Sequence, residues 1–151
     1  MKEDPKKQSH LFKKPETCIF CNVVNNEIER YVVFEDSQSI AFLDMKPLFP
    51  GHVLLVPKMH YSEIDQIPGK TIDVLFNNVK LLSKAVESSL GADGTFIAVN
   101  NKVSQSVPHL HIHIVPRKFK DGLKGFFWPR YKYSSKEEIE KIKDKIANAI
   151  K

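Results

Sequence analysis

The chain has 151 residues, 42% of them hydrophobic and 27% charged, with a formal net charge of +5. That is enough chain for one domain with a real core and no need of disulfides, and the composition is that of a soluble globular protein rather than a disordered one. No run of eighteen apolar residues occurs, and the charged N-terminus has no apolar h-region, so neither a membrane span nor a secretory signal is expected and a cytoplasmic location is the default.

The charge is concentrated at the ends. Residues 1–15 carry five lysines against Glu3 and Asp4, and residues 117–151 carry eleven Lys/Arg against five Asp/Glu. Solvated ends around a weakly acidic middle explain this better than a polyanion-binding surface, so nucleic acid is not an expected partner. Residues 1–16 are Lys-rich, with Pro5 and Pro15, and read as a flexible tail leading into a single domain over 17–151.

Cys18-Ile19-Phe20-Cys21 holds the only two cysteines. The spacing fits half a zinc site, a redox pair or two buried free thiols. A thioredoxin-like pair should open a helix after a strand, whereas Asn22 to Glu29 shows no helix-length periodicity. If the pair binds zinc, tetrahedral closure needs two further ligands, which in this chain means histidines.

Tyr31–Glu35 and Ile40–Leu43 read as paired strands around the turn tetrad Asp36-Ser37-Gln38-Ser39. Asp44 ends the second strand, Pro47–Gly51 forms a loop, and His52–Pro57 is a third strand, aliphatic enough to be buried on both faces. Ile72, Leu75, Val79, Leu82, Val86 and Leu90 recur every three or four residues, which predicts an amphipathic helix over Thr71–Leu90 ended by Gly91. Phe96–Asn100 is a fourth strand, followed by the polar loop Asn101–Gln105.

Ser106 to Pro116 then alternates imidazole and aliphatic side chains. On a strand, His109, His111 and His113 share one face, about 6.5–7 Å apart, while Leu110, Ile112 and Ile114 face a core. Pro108 and Pro116 bracket that strand, where a missing N–H does least harm. Three of six histidines in register on one short segment point to chemistry rather than to an incidentally polar surface. Lys118–Pro129 is a loop rich in Lys, Gly and aromatics. The last helix starts near Ser135, with Ser135 and Glu138 spaced as a capping box and Ile139, Ile142, Ile146 and Ile150 as its apolar stripe. The element order predicts an α+β fold: an antiparallel sheet with one long central helix and a C-terminal helix.

The histidine segment resembles the signature of the histidine triad family, small nucleotide hydrolases and transferases. Cys18–Cys21, Ala41-Phe42-Leu43-Asp44, Pro50-Gly51-His52, Val56–His60 and Gln105–Arg117 extend the resemblance, in the family's order, over roughly residues 17–130. It is closest to bacterial-type, zinc-bearing, Hint-like members. Where those members usually carry a glycine before the Gln-Ser pair, this chain has Ser104.

The resemblance implies that His111 is the nucleophile and that His52 and His113 share its hydrogen-bond network. It implies Asp44 as acceptor of the ribose hydroxyls, with Ile19, Phe20, Val23 and Phe42 packed around the base. Gln105 and Ser106, with Asn100, correspond to loop residues at the phosphate. Cys18, Cys21, His60 and His109 match the ligands of a structural zinc.

These roles suit the residue types. A neutral imidazole is a competent nucleophile at neutral pH if its second nitrogen is held by an acceptor. A carboxylate is the natural bidentate acceptor for a diol. The resemblance also implies a homodimer acting on purine nucleoside 5′-phosphoramidates through a nucleotidyl-histidine intermediate, with Fhit-like hydrolysis of diadenosine polyphosphates as the alternative. A zinc-stabilised nucleotide-binding module without turnover is the reading from another class; it has no need of three registered histidines.

Overall fold

The computed structural model describes residues 18–123 and 131–150. The expected N-terminal tail and most of the expected aromatic loop after Lys118 lie outside the described residues. The chain divides into two compact units, Met1–Asp121 and Gly122–Lys151.

In the first unit Cys18 is the N-cap of a short helix, α1 (Ile19–Val24); its backbone is extended and its sulfur accepts the Cys21 N–H. No helix was expected here. Six residues are fewer than two turns, too short for an apolar period to register, and what fixes the helix is its cap and the burial of Phe20, Cys21 and Val23.

Five strands follow: β1 (Val32–Glu35), β2 (Ser39–Leu43), β3 (Val53–Pro57), β4 (Gly94–Val99) and β5 (Ile112–Arg117). They form one antiparallel sheet in the order β1-β2-β3-β5-β4, in keeping with the expected α+β class. The turn tetrad joins β1 to β2 as expected. Asp36 Oδ1 accepts the backbone N–H of Gln38 and Ser39, an Asx-type turn that satisfies donors the strands leave open.

Helix α2 (Gly69–Leu90) crosses from β3 to β4, and Gly91 closes it in the left-handed conformation, φ 61°. Its buried face carries Leu75, Val79, Leu82 and Val86. Asn78 shares that face, which the periodicity did not anticipate, whereas Leu90 stands exposed.

Residue parity splits the sheet's two faces. Ala41, Val53, Leu55, Ile112 and Ile114 pack with α2 in one core, and Ile40, Phe42, Leu54 and Val56 pack with the α1 residues in a second. Each fully buried Leu or Ile in these layers contributes about 1.5–3 kcal/mol. β3, covered on both faces, is buried at every position, as its aliphatic run predicted.

β5 departs from the sequence reading. It begins at Ile112, so His113 alone of the three histidines lies in the regular strand, and Pro116 lies within it opposite Thr95. β3 pairs with β5 only over Ile112–Ile114, so the missing N–H of Pro116 falls beyond that ladder. His109 and His111 precede the strand because their segment is bonded elsewhere: Leu110 N–H donates to the Tyr61 carbonyl at 2.6 Å. The face assignment survives, since Leu110, Ile112 and Ile114 all enter the α2 core.

In the second unit, α3 (Lys136–Ala149) is capped by Ser135, whose hydroxyl accepts the Glu138 N–H. Only that half of the expected capping box forms. The Glu138 carboxylate instead accepts from Ser134 and the Tyr131 hydroxyl. Among the described residues no helix is long and apolar enough to cross a membrane.

Candidate active site and metal centre

His109 is fully buried, and its Nε2 lies 2.8 Å from the Pro57 carbonyl. A carbonyl can only accept, so Nε2 carries the proton and Nδ1 presents a lone pair. That lone pair faces two sulfurs: Cys18 Sγ at 3.4 Å and Cys21 Sγ at 3.6 Å. His60 Nδ1 lies 3.3 Å from Cys21 Sγ, and the four ligand atoms are all within 4.8 Å of one another.

Tetrahedral zinc, with bonds of about 2.3 Å to sulfur and 2.0–2.1 Å to nitrogen, needs N···S separations near 3.6 Å. The donor set therefore fits zinc in identity, number and spacing. The Pro57 carbonyl supplies the outer hydrogen bond that metal-bound histidines use to fix their tautomer. Burial pushes the His109 pKa down to about 4 and lowers that of His60 as well. Both rings are thus in the neutral form a metal requires.

Two residues along, His111 Nδ1 stands 2.7 Å from the carbonyl of His109. By the same logic Nδ1 is the donor, and His111 Nε2 is left as an unprotonated lone pair. The His111 ring is buried edge-on to Phe20, 5.2 Å between centroids, and 4.9 Å from the His113 ring.

The third ring pair closes the array. Leu48 N–H donates to His52 Nδ1 at 3.2 Å, so the His52 proton is on Nε2, which lies 3.0 Å from His113 Nδ1. His113 then carries its proton on Nε2, a buried atom with no hydrogen-bond partner among the described residues. Three backbone groups, Leu48 N–H, Pro57 C=O and His109 C=O, therefore set the tautomers of four histidines. Burial is the main cause of the low His52 and His113 pKa values, the latter about 4, and the neighbouring imidazoles press the same way against Asp44.

Asp44 sits at the end of β2 with Oδ2 3.6 Å from His52 Nδ1, and its Oδ1 accepts the Lys46 N–H. Phe20 and Phe42 meet edge to face at 5.6 Å, with Val23 and Ile19 in the same cluster. The structure thus brings the expected metal ligands together. It also gathers His52, His113 and Asp44, and sets Phe20 beside His111. Asn100 directly follows β4, half-buried, and Ser106 is exposed. The Gln105 side chain is engaged with Ser62 and Lys102 rather than with the histidines.

The backbone groups that fix the tautomers were missed by the sequence reading. No residue identity marks them, because any residue but proline at 48 offers the same N–H and any residue at 57 or 109 the same carbonyl.

The chain is similar to proteins of one known family. A family model described as HIT domain matches residues 25–120. An adenosine 5′-monophosphoramidase of Schizosaccharomyces pombe is 32% identical over 137 residues, covering 89% of this chain and 99% of that protein. A HIT-family crystal structure from Bacillus subtilis superposes with a TM-score of 0.82 at 32% identity, covering 90% of this chain and 99% of that one. A zinc-bound histidine triad family protein from Mycobacterium smegmatis gives a TM-score of 0.67 at 29% identity, covering 87% and 94%.

Proposed function

Because this chain belongs to the histidine triad (HIT) family, we propose that it hydrolyses purine nucleoside 5′-phosphoramidates through a covalent nucleotidyl-histidine intermediate on His111. The observation that carries this reading is the hydrogen bond from His111 Nδ1 to the His109 carbonyl. It places the ring proton on Nδ1 and leaves Nε2 as the lone pair that attacks, with no need of a separate base.

His111 Nε2 attacks the α-phosphorus, the P–N bond to the leaving group breaks, and the departing amine takes a proton from His113 Nε2. His113 draws on His52 through Nδ1 and so stays oriented. Water then attacks the phosphorus and passes a proton to His113 Nε2, the P–Nε2 bond breaks, and the nucleoside monophosphate leaves with His111 and His113 both restored. The His113 proton donor is buried, where its interaction with growing negative charge is stronger than in water. Asp44 accepts the ribose hydroxyls, and Ile19, Phe20, Val23 and Phe42 wall the base. Asn100, Ser106 and the backbone around Gln105 receive the phosphate.

Cys18, Cys21, His60 and His109 would hold zinc, which supplies structural clamping and no reactive group. His109, held there, keeps its carbonyl aimed at His111. The reading further includes a homodimer, supported by the place of β4 as an end strand of the sheet and by exposed Phe76, Leu81 and Ile97. It includes a cytoplasmic setting, where cysteines that serve as metal ligands stay reduced.

The test is single-turnover mixing with adenosine 5′-phosphoramidate, wild type against His111→Ala. Adenylate release by the wild type with none by the variant is the expected result. Binding without turnover by both proteins, on this substrate and on diadenosine tetraphosphate, would leave the binding-module reading in its place.

A further inference from the structure

The loop between β4 and His109 is held in a costly shape. Lys102 and Ser104 both have left-handed backbone, φ 68° and 61°, a region disfavoured for non-glycine residues because Cβ crowds the following carbonyl. Such conformations persist only when their surroundings over-determine them.

The surroundings here are the segment Tyr61–Ile64, which runs antiparallel to the loop with one link at each residue. Tyr61 O accepts from Leu110 N at 2.6 Å, and Ser62 O accepts from Gln105 Nε2 at 2.7 Å. The Glu63 carboxylate pairs with Lys102 Nζ at 3.1 Å, and Ile64 N donates to Asn101 Oδ1 at 3.0 Å. The segment is itself braced, since Ser62 N–H donates to Gln66 Oε1. Gln105 is the only side chain in this clip that bonds both sides, because its Oε1 also accepts the Lys102 N–H at 3.1 Å.

We propose that Gln105 is a positioning residue: its side-chain amide fastens the loop Asn101–Ser106 to Ser62 and so fixes the backbone that receives the substrate's phosphate. This rests on the reading of that loop as the phosphate-receiving segment. The Lys102–Glu63 pair is exposed on the lysine side and adds little. The two bonds from one amide, one of them to a half-buried carbonyl, carry the fastening. The clip also begins beside His60 and His109, so the cysteine–histidine centre and the loop share one rigid edge.

The experiment compares Gln105→Ala and Gln105→Glu with wild type by amide hydrogen exchange on the ligand-free, zinc-loaded protein. The same proteins are titrated with adenosine and with AMP, and their single-turnover rates measured. Losing both hydrogen bonds of the Gln105 amide predicts roughly tenfold faster exchange, about 1.4 kcal/mol, over residues 101–106 in Gln105→Ala with α2 unchanged. Gln105→Glu keeps the acceptor for Lys102 but not the donor for Ser62, and falls between the two. AMP affinity drops in step with loop exchange, about tenfold for Gln105→Ala, while adenosine affinity holds.

Wild-type loop exchange with weakened AMP binding would mean that Gln105 touches the phosphate itself, and would overturn the proposal. So would faster exchange in α2 and loop alike, the mark of general destabilisation. If the wild type turns over no phosphoramidate, the catalytic reading fails, yet loop exchange and the AMP–adenosine difference still decide the role of Gln105.

Discussion

His52 Nε2 lies 3.0 Å from His113 Nδ1, and the Leu48 N–H on the far side of the His52 ring decides which of the two donates. The pair works only while both rings are neutral, since protonating His52 Nδ1 turns the Leu48 amide from donor into clash.

That relationship has a pH signature. Both histidines have folded-state pKa values below the unfolded value of 6.5, that of His113 at about 4. The unfolded chain therefore binds more protons than the native one between pH 6.5 and about 4, and stability falls as pH falls through that window. Above pH 7 the contribution is complete. Thermal unfolding should show a flat Tm from pH 7 to 8 and a decline below 6.5. A single group can contribute at most about 1.4 kcal/mol per pH unit. His113→Gln should flatten the slope; an equally steep decline in that variant would refute the assignment.

Metal removal acts on the same strand from its other end. Purified protein should contain one zinc per chain by atomic absorption, and a chelator should lower Tm. At a hundredfold excess of free zinc over Kd the stabilisation is about 2.7 kcal/mol, roughly 5–10 °C for a chain of this size. Cys21→Ser should abolish the difference between loaded and chelated protein. A chelated wild type with unchanged Tm would show that the four side chains pack without an ion.

Asn78 on α2 gives a prediction confined to stability. Its amide donates to Asp36 Oδ2 at 2.6 Å and to Ser39 Oγ at 3.0 Å, tying the helix to the β1–β2 turn. Burial raises the Asp36 pKa, but the bonds from Asn78, Gln38 and Ser39 outweigh it and the net shift is downward. Asn78→Ala should cost about 1–3 kcal/mol, because it strips a partner from a charged group and leaves a buried hydroxyl short of one. Denaturant unfolding should show the loss, with turnover per folded molecule unchanged. A neutral variant would mean that water replaces the amide without cost.

The sequence by itself determined which way side chains point and which elements they build. Alternation put Leu110, Ile112 and Ile114 on the core side, the 3.6-residue period set the inner face of α2, and Gly91 marked its end; these signals are local and repeat along the chain. Residue type and spacing nominated the Cys18–Cys21 pair as half a zinc site, and the family resemblance added His60 and His109 to it. The six-residue α1, with only a cap to announce it, stayed below that threshold.

Tertiary structure alone decided where β5 begins, which nitrogen of each histidine carries a proton, and where Gln105 bonds. Each depends on a backbone donor or acceptor remote in the chain: Tyr61 O for Leu110, Pro57 O for His109, Leu48 N for the His52–His113 pair, Ser62 O for Gln105. Every residue offers a carbonyl, and every residue but proline an N–H, so their positions leave no mark in the identity of the side chains. The fold supplies them, and with them the direction of every proton in the site.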